Sequence, residues 1–455
     1  MDRGINAMRN AEGRQYKKQI LYSMVLLAIP TVIEQILSTL LQYVDTAMVG
    51  RLGERATAAV SVTTTVNWLI SSVPEAAAVA MLAMVSREVG RKDEKAVESI
   101  SKLAVFLTVV CGVVLTVVSV VMSPLIPAWM GAETAVRHNA SMYFLILSCS
   151  RLFRCATSIF GAAIRAVKDT RTPLFIGMGA NALNVVLNIV FIYLLRMGVV
   201  GAAVASTVSY TFSGILMYVM FRRKKGFCWK WKDFAVDVKR LKQCVRIGLP
   251  VLGTGASSCF GYVVFAGLVS GMGTTVFAAH SIAVTAETIF YIPGYGLRSA
   301  TSTMVGIALG EQDKRKFETV SSLSIGLTMV LMCFTGCLLY LTAYPLMCLM
   351  TSSQSVAGLG AGMLRIVAFT EPFFGLMIVM EGILYGLGRT RYAFVVESIG
   401  MWGIRIVFTA LCVKVWNMDL QAVWYCMIAD NICKAVLLSI PVLSRKRRER
   451  LFVAT

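Results

Sequence analysis

The chain has 455 residues, 57% of them hydrophobic and 15% charged, with a mean hydropathy of +0.71 and a formal net charge of +20. Soluble domains sit nearer about 45–50% apolar and about 25% charged, so this balance excludes a disordered chain, a disulfide miniprotein and an ordinary soluble enzyme. The basic excess falls in short clusters between long apolar runs, which speaks against a nucleic-acid face and for charges that orient a membrane protein.

At roughly 20 residues per crossing, the apolar runs predict twelve transmembrane helices. They cover 19–46, 56–84, 100–123, 137–161, 173–195, 200–221, 248–270, 278–308, 318–345, 358–386, 394–416 and 421–443. The expected fold class is an all-α polytopic membrane protein. Prolines within the runs (Pro30, Pro74, Pro250, Pro293, Pro372) are tolerated more readily in membrane helices than in soluble ones and mark bends.

Alternate loops divide the charge unequally. One set (1–18, 86–102, 165–171, 222–246, 314–316, 389–391 and 445–450) holds 33 of the 44 Lys and Arg, and the opposite set holds five. The positive-inside rule therefore places both termini in the cytoplasm. The N-terminus does not read as a secretory signal, because its apolar run carries Glu34 and Asp45 and ends in no small-residue cleavage site. The basic tail at 445–450 reads as a stop-transfer anchor, with attraction to anionic lipid as the alternative. Twelve cysteines form no CxxC pair, and only His138 and His280 are present. The cysteines are expected as small buried hydrophobes and no zinc site is expected.

Sliding the sequence on itself by 220 residues aligns its halves. Pro30 falls on Pro250, Gly53 on Gly273, Gly90 with Asp93 and Glu98 on Gly310 with Asp313 and Glu318, and Thr170-Arg171 on Thr390-Arg391. Each half carries six helices, so the repeats are parallel, about an axis along the membrane normal. The expected organisation is an N-terminal lobe over 1–221, a basic cytoplasmic linker over 222–246, a C-terminal lobe over 247–443 and a basic tail over 444–455. Two such lobes favour rocking around a central cavity.

The first run reads Pro30-Thr-Val-Ile-Glu34-Gln35, then Val44-Asp45-Thr-Ala-Met-Val-Gly50-Arg-Leu-Gly53 and Ala58-Ala59-Val60. Gly161-Ala-Ala-Ile-Arg165-Ala-Val-Lys168-Asp169-Thr170 follows the fourth helix, and Gly382-Ile-Leu-Tyr385-Gly386-Leu-Gly388-Arg389-Thr390 the tenth. Together, over nearly the whole chain, these segments resemble the multidrug and toxin extrusion (MATE) family, within the multidrug/oligosaccharidyl-lipid/polysaccharide flippase superfamily. The resemblance implies a secondary antiporter of the cell membrane exporting amphipathic, usually cationic compounds against inward proton or sodium flow.

A charge at the bilayer centre costs at least about 2.5–3.5 kcal/mol, so each acid within a span is a functional candidate. They are Glu34, Asp45, Glu75, Glu287, Glu371, Glu381, Glu397 and Asp430. At 100° per residue, Glu34, Ser38, Gln42 and Asp45 share one stripe of the first helix. A carboxylate there can be neutral with a proton or charged with a cation in its place, which is what coupling requires. Asp45 is the leading candidate, with Glu34 and Gln42 beside it; pairing with an Arg at the helix end is the plainer alternative. Their repeat mates include Thr254 and Phe265, so the acidic stripe belongs to the N-terminal lobe alone.

On the fifth helix Asn181, Asn184 and Asn188 share a face. Their amides can coordinate a cation, hold a carboxylic acid or join helices. In some members of the family the position matching Asn188 is an Asp, so Asn here removes a second carboxylate. Asn67 and Glu75 on the second helix and Glu287 on the eighth are candidates for a substrate cavity, as are Glu371 and Glu381 on the tenth. Tyr291 would add cation–π contact. The C-terminal lobe lacks the seventh-helix Glu of the sodium-coupled branch, which favours protons, with sodium at Asp45 as the alternative. No cofactor, metal or nucleic-acid partner is expected, and the expected state is a monomer.

Arg151, Arg154, Arg298, Arg365, Arg405 and Lys434 are expected to neutralise buried acids. The 25 methionines are mostly lipid-facing or core, with an adaptable drug-binding wall as the alternative. A flippase for a lipid-linked precursor or polysaccharide is the second functional reading, kept open by Arg151, Arg154 and Arg298. An enzyme is not expected: no HExxH, nucleophile elbow or P-loop occurs.

Overall fold

The computed structural model describes residues 2–444. The tail at 445–450, read above as an anchor, lies outside the described residues. Sixteen α-helices follow one another: α1 (Asp2–Gly50), α2 (Glu54–Arg91), α3 (Glu94–Met122), the short α4 (Ile126–Trp129), α5 (Thr134–Ser148), α6 (Arg151–Ala166), α7 (Arg171–Asn188) and α8 (Gly198–Arg223). Then come α9 (Val238–Ser270), α10 (Thr274–Gly310), α11 (Lys314–Met350), α12 (Gln354–Ala368), α13 (Glu371–Gly386), α14 (Thr390–Ser398), α15 (Val407–Lys414) and α16 (Leu420–Leu443). No strand occurs among the described residues.

Ten of the resulting rods are long and apolar enough to cross a membrane, and twelve if each of two bent pairs is one crossing. The chain is a multi-pass membrane protein. The expected crossings over 137–161 and 358–386 require correction, because neither is continuous. α5 meets α6 at 47° and α12 meets α13 at 57°. The cause is local. At the first break the Ser150 hydroxyl bonds the Leu147 carbonyl at 2.8 Å, and at the second the Thr370 hydroxyl bonds the Val367 carbonyl at 2.8 Å. A hydroxyl that occupies a backbone carbonyl competes with the helical ladder, and Pro372 removes a further donor just beyond the second break.

Both breaks fall 220 residues apart, as do the chain's other backbone landmarks. Gly53 and Gly273 turn with φ of 104° and 111°, a region that favours glycine. Lys92 and Gln312 close the following helices at 58° and 59°. Asp93 and Asp313 then cap the next helices through Ala96 N and Lys316 N, each at 2.9 Å. The repeat seen in the sequence is therefore a repeat of turns, caps and breaks.

A π-helical stretch interrupts the crossing after α7 at Ile189–Leu194, and another joins α14 to α15 at Ile399–Ile406. Such wide turns are rare and gather at functional positions. By contacts the chain forms two compact units, one of residues 34–260 and one of residues up to 33 with 261 onward. α1 and α9 thus each contribute to both. The 34–260 unit has a core around Ile100, Leu103, Ile159 and Ile164, in which Phe160, Phe221 and Phe227 stack at 4.6 and 4.5 Å. The other unit packs Phe265, Leu339, Met347, Leu364 and Trp424 together.

Candidate functional site

In the 34–260 unit, Asp45 lies near the end of α1 and Asn188 at the last residue of α7. The Asn188 amide donates to Asp45 Oδ1 at 2.6 Å and to the Asn184 carbonyl oxygen at 3.0 Å. Asn184 in turn donates to the Ser206 hydroxyl on α8 at 3.3 Å. Asn188 is 1% exposed, and its own side-chain oxygen is buried with no donor on it. A carboxylate, an amide chain and one open acceptor oxygen thus meet where α7 passes into its π-helical turn.

The other residues expected beside Asp45 are not gathered there. Glu34 is eleven residues earlier, about 16 Å along a helix at 1.5 Å per residue, and its carboxylate meets Arg165 of α6 at 3.4 Å. Gln42 is exposed, and half-buried Asn181 stands outside the hydrogen-bonded chain. The helical stripe was real, but a shared face does not bring together groups three turns apart.

The same unit buries two further charges. Arg151 begins α6 and is 2% exposed; it donates to the Asn67 side-chain oxygen on α2 and lies 5.5 Å from the Phe144 ring. Arg154, one turn on, donates to the Ser71 hydroxyl at 3.2 Å and lies over Tyr210 at 4.8 Å. Two close helix contacts seat this first turn. A Cβ on Gly112 of α3 would lie 2.7 Å from Leu152 Cα, and one on Gly214 of α8 would lie 2.8 Å from Phe153 Cα. No carboxylate pairs with either arginine, against the expectation that buried bases neutralise buried acids. Glu75, a cavity candidate on α2, is exposed.

In the other unit that expectation describes the geometry well. Arg405 Nε is 2.8 Å from Asp430, and Lys434 lies 3.1 Å from Asp430 and 3.0 Å from Glu397. Arg405 also donates to the Tyr262 hydroxyl and the Asn431 side-chain oxygen, both at 3.1 Å. Gly400 leaves room for Asp430 and Lys434 beside the α14–α15 crossing. Arg298 pairs with Glu381 at 2.7 Å, and the Tyr385 hydroxyl donates to the same carboxylate. Glu381 is thus an ion-pair partner rather than an open cavity acid. Arg365 is exposed and stacks on Tyr340 at 5.9 Å.

Two acids there have no base within ion-pair distance. Glu371, the first residue of α13, is 1% exposed with no partner on either oxygen, and Glu287 of α10, 7% exposed, acts on it electrostatically. Tyr291 bonds Thr288 at 3.1 Å and packs edge-on against Phe374 at 4.9 Å. The sequence pass missed Ser206, Tyr262 and Asn431, and did not pair Arg165 with Glu34. The i, i+3 spacing of Arg151 with Arg154, beside Asn67 and Ser71 at i, i+4, was the available signal for the first cluster. Among the described residues no three His, Cys, Asp or Glu converge as a metal site would require.

Twelve crossings in two repeats, with ionisable groups held inside the spans, define a membrane transporter scaffold. The MatE family model matches residues 30–190 and 250–411. The chain belongs to that family. It is similar to the probable multidrug resistance protein NorM of Thermotoga maritima, 27% identical over 95% of this chain and 94% of that one. It is also similar to the probable multidrug resistance protein YpnP of Bacillus subtilis, 24% identical over 86% and 88%. A crystal structure of MATE in complex with MaL6 superposes with a TM-score of 0.90 over 96% of this chain and 98% of that one, at 21% identity. The Vibrio cholerae MATE transporter VcmN gives 0.88 over 96% and 99%, at 18% identity. At those identities the structures speak to the fold, which they share.

Proposed function

We propose that the chain is a secondary antiporter of the plasma membrane that exports amphipathic, mainly cationic small molecules in exchange for protons. Its two lobes would alternate access, with both termini in the cytoplasm and a monomer as the working unit. The relatives named for multidrug resistance support the substrate class. The loop asymmetry of 33 basic residues against five supports the orientation.

The observation that carries the coupling is the hydrogen bond from Asn188 to Asp45 inside the span. A single carboxylate that meets an amide N–H is served in both its charged and its protonated form. A metal cation would instead draw the amide oxygen toward itself, so the arrangement favours a proton over sodium. No cofactor enters this cycle.

The test is reconstitution in liposomes with ethidium as the transported cation, a pH gradient and a sodium gradient being imposed separately. Export that follows the pH gradient alone supports proton antiport. Export that follows sodium alone replaces the ion, and movement under neither removes the antiport reading. The second reading, a flippase for a lipid-linked precursor or polysaccharide, is favoured by Arg151 and Arg154, which lack a carboxylate partner. A labelled lipid-linked sugar tests it.

A further inference from the structure

We infer that Arg151 and Arg154 form a binding site for an oxyanion, and that the ligand is the carboxylate of a transported amphiphile. The inference rests on the transport reading for its ligand class. It goes beyond it by making the substrate zwitterionic rather than a plain cation.

Three facts converge on the first turn of α6. A guanidinium does not lose its proton in a protein, so these two charges are permanent. Their hydrogen-bond partners, Asn67 and Ser71, are neutral, and the rings of Phe144 and Tyr210 supply only the weaker cation–π attraction. The helix N-terminus adds its own positive field to both. Each of these raises the cost of burial, and none supplies a negative charge.

Asp45 does not supply it either. It and both arginines act on Tyr143, but no ion pair joins them, and Asp45 is engaged by Asn188. Arg151 is buried with its Nε unpartnered, whereas Arg154 is half-buried and accessible. A planar carboxylate suits the fork of a guanidinium, and a phosphate suits it equally. The seat is built rather than incidental, because Gly112 and Gly214 fix the backbone of Leu152 and Phe153 between α3 and α8.

The test uses the purified full chain in detergent and two dyes that differ in one group. Rhodamine 19 carries a free carboxylate, and rhodamine 6G is its ethyl ester. Fluorescence polarisation should show the acid binding at least about tenfold more tightly than the ester, the worth of one charge-assisted hydrogen bond. In Arg154→Gln that ratio should fall to about one. Arg154→Lys, which keeps the charge, should hold most of it and so excludes misfolding as the cause. Equal affinities in the wild type, or an unchanged ratio in Arg154→Gln, would overturn the inference. A polyprenyl diphosphate is then titrated against bound rhodamine 19. No displacement supports the carboxylate, and displacement reassigns the site to a lipid diphosphate. Binding needs no gradient, so a failure of ethidium antiport and a failure of this site are read separately.

Discussion

One position of the repeat carries opposite charge in the two halves of the molecule. Arg151 and its hydrogen-bond partner Asn67 correspond, 220 residues on, to Glu371 and Glu287. The scaffold around them is the same: a hydroxyl residue breaks the crossing, and the charged residue opens the next helix. A feature needed only to break the helix would not require either sign. The charge is therefore a variable that the two halves set independently. The arginine keeps its charge under all conditions, whereas a glutamate discharges when it binds a proton.

The halves also differ in how they treat their remaining charges. Glu397, Lys434, Asp430 and Arg405 form a balanced cluster in one unit, while its repeat counterpart holds Gly177, Gly214, Tyr210 and Val185. The largest predicted effect breaks that balance. Lys434→Met leaves two buried carboxylates with one base and should destabilise the protein by about 3–5 kcal/mol, read as a lowered Tm in detergent. A variant within about 1 kcal/mol of wild type would show that the cluster is hydrated and screened.

The next effect probes the same repeat position in the other half. A Cβ at Gly214 would lie 2.6 Å from the Phe153 carbonyl, so Gly214→Val should cost about 1–3 kcal/mol through overpacking. Denaturation monitored by tryptophan fluorescence checks it, and an unchanged midpoint would mean that α6 and α8 can part freely. Smaller still is Glu371→Gln. Because no base depends on this carboxyl, the neutral amide should leave stability within about 1 kcal/mol of wild type or raise it. A loss like that of Lys434→Met would reveal a partner for Glu371.

The smallest effect belongs to the cytoplasmic loop, where Asp169 stands opposite the repeat's Arg389. Burial alone would raise the Asp169 pKa. Lys224 at 2.5 Å and the hydroxyl and backbone N–H of Thr172 outweigh burial and hold the carboxyl below its ordinary value. With the folded pKa below the unfolded one, its contribution is full above the unfolded value and is lost as pH falls through the folded one. Being partly exposed, the pair is worth no more than about 1 kcal/mol. The Tm gap between wild type and Asp169→Asn should therefore narrow from pH 7 to pH 3, and a constant gap would remove the ion pair's role.

Much of this architecture is legible in the sequence because it rests on local signals. Apolar length fixes the crossings, and the 220-residue offset carries the capping aspartates and the turn glycines with it. The breaks at Ser150 and Thr370 escape such a reading, since a serine or threonine bonding its own helix looks like any other within an apolar run. Asp45 and the asparagine face were visible as intramembrane polarity. The separation of Glu34 from that group was not, because its partner Arg165 lies 131 residues away and only the packing of α6 on α1 joins them. The arginines of α6 were expected to pair with acids, an assumption that charge counting allows and geometry does not support.

The central claim is that coupling resides at Asp45, in the half with the amide chain, and not at the unpartnered acids of the other half. The direct measurement compares Asp45→Asn with Glu371→Gln in liposomes, as the ratio of ethidium export with and without an imposed pH gradient. The account predicts a ratio near one for Asp45→Asn and a wild-type ratio for Glu371→Gln. A coupled Asp45→Asn beside an uncoupled Glu371→Gln would contradict it and move the coupling site to the other half.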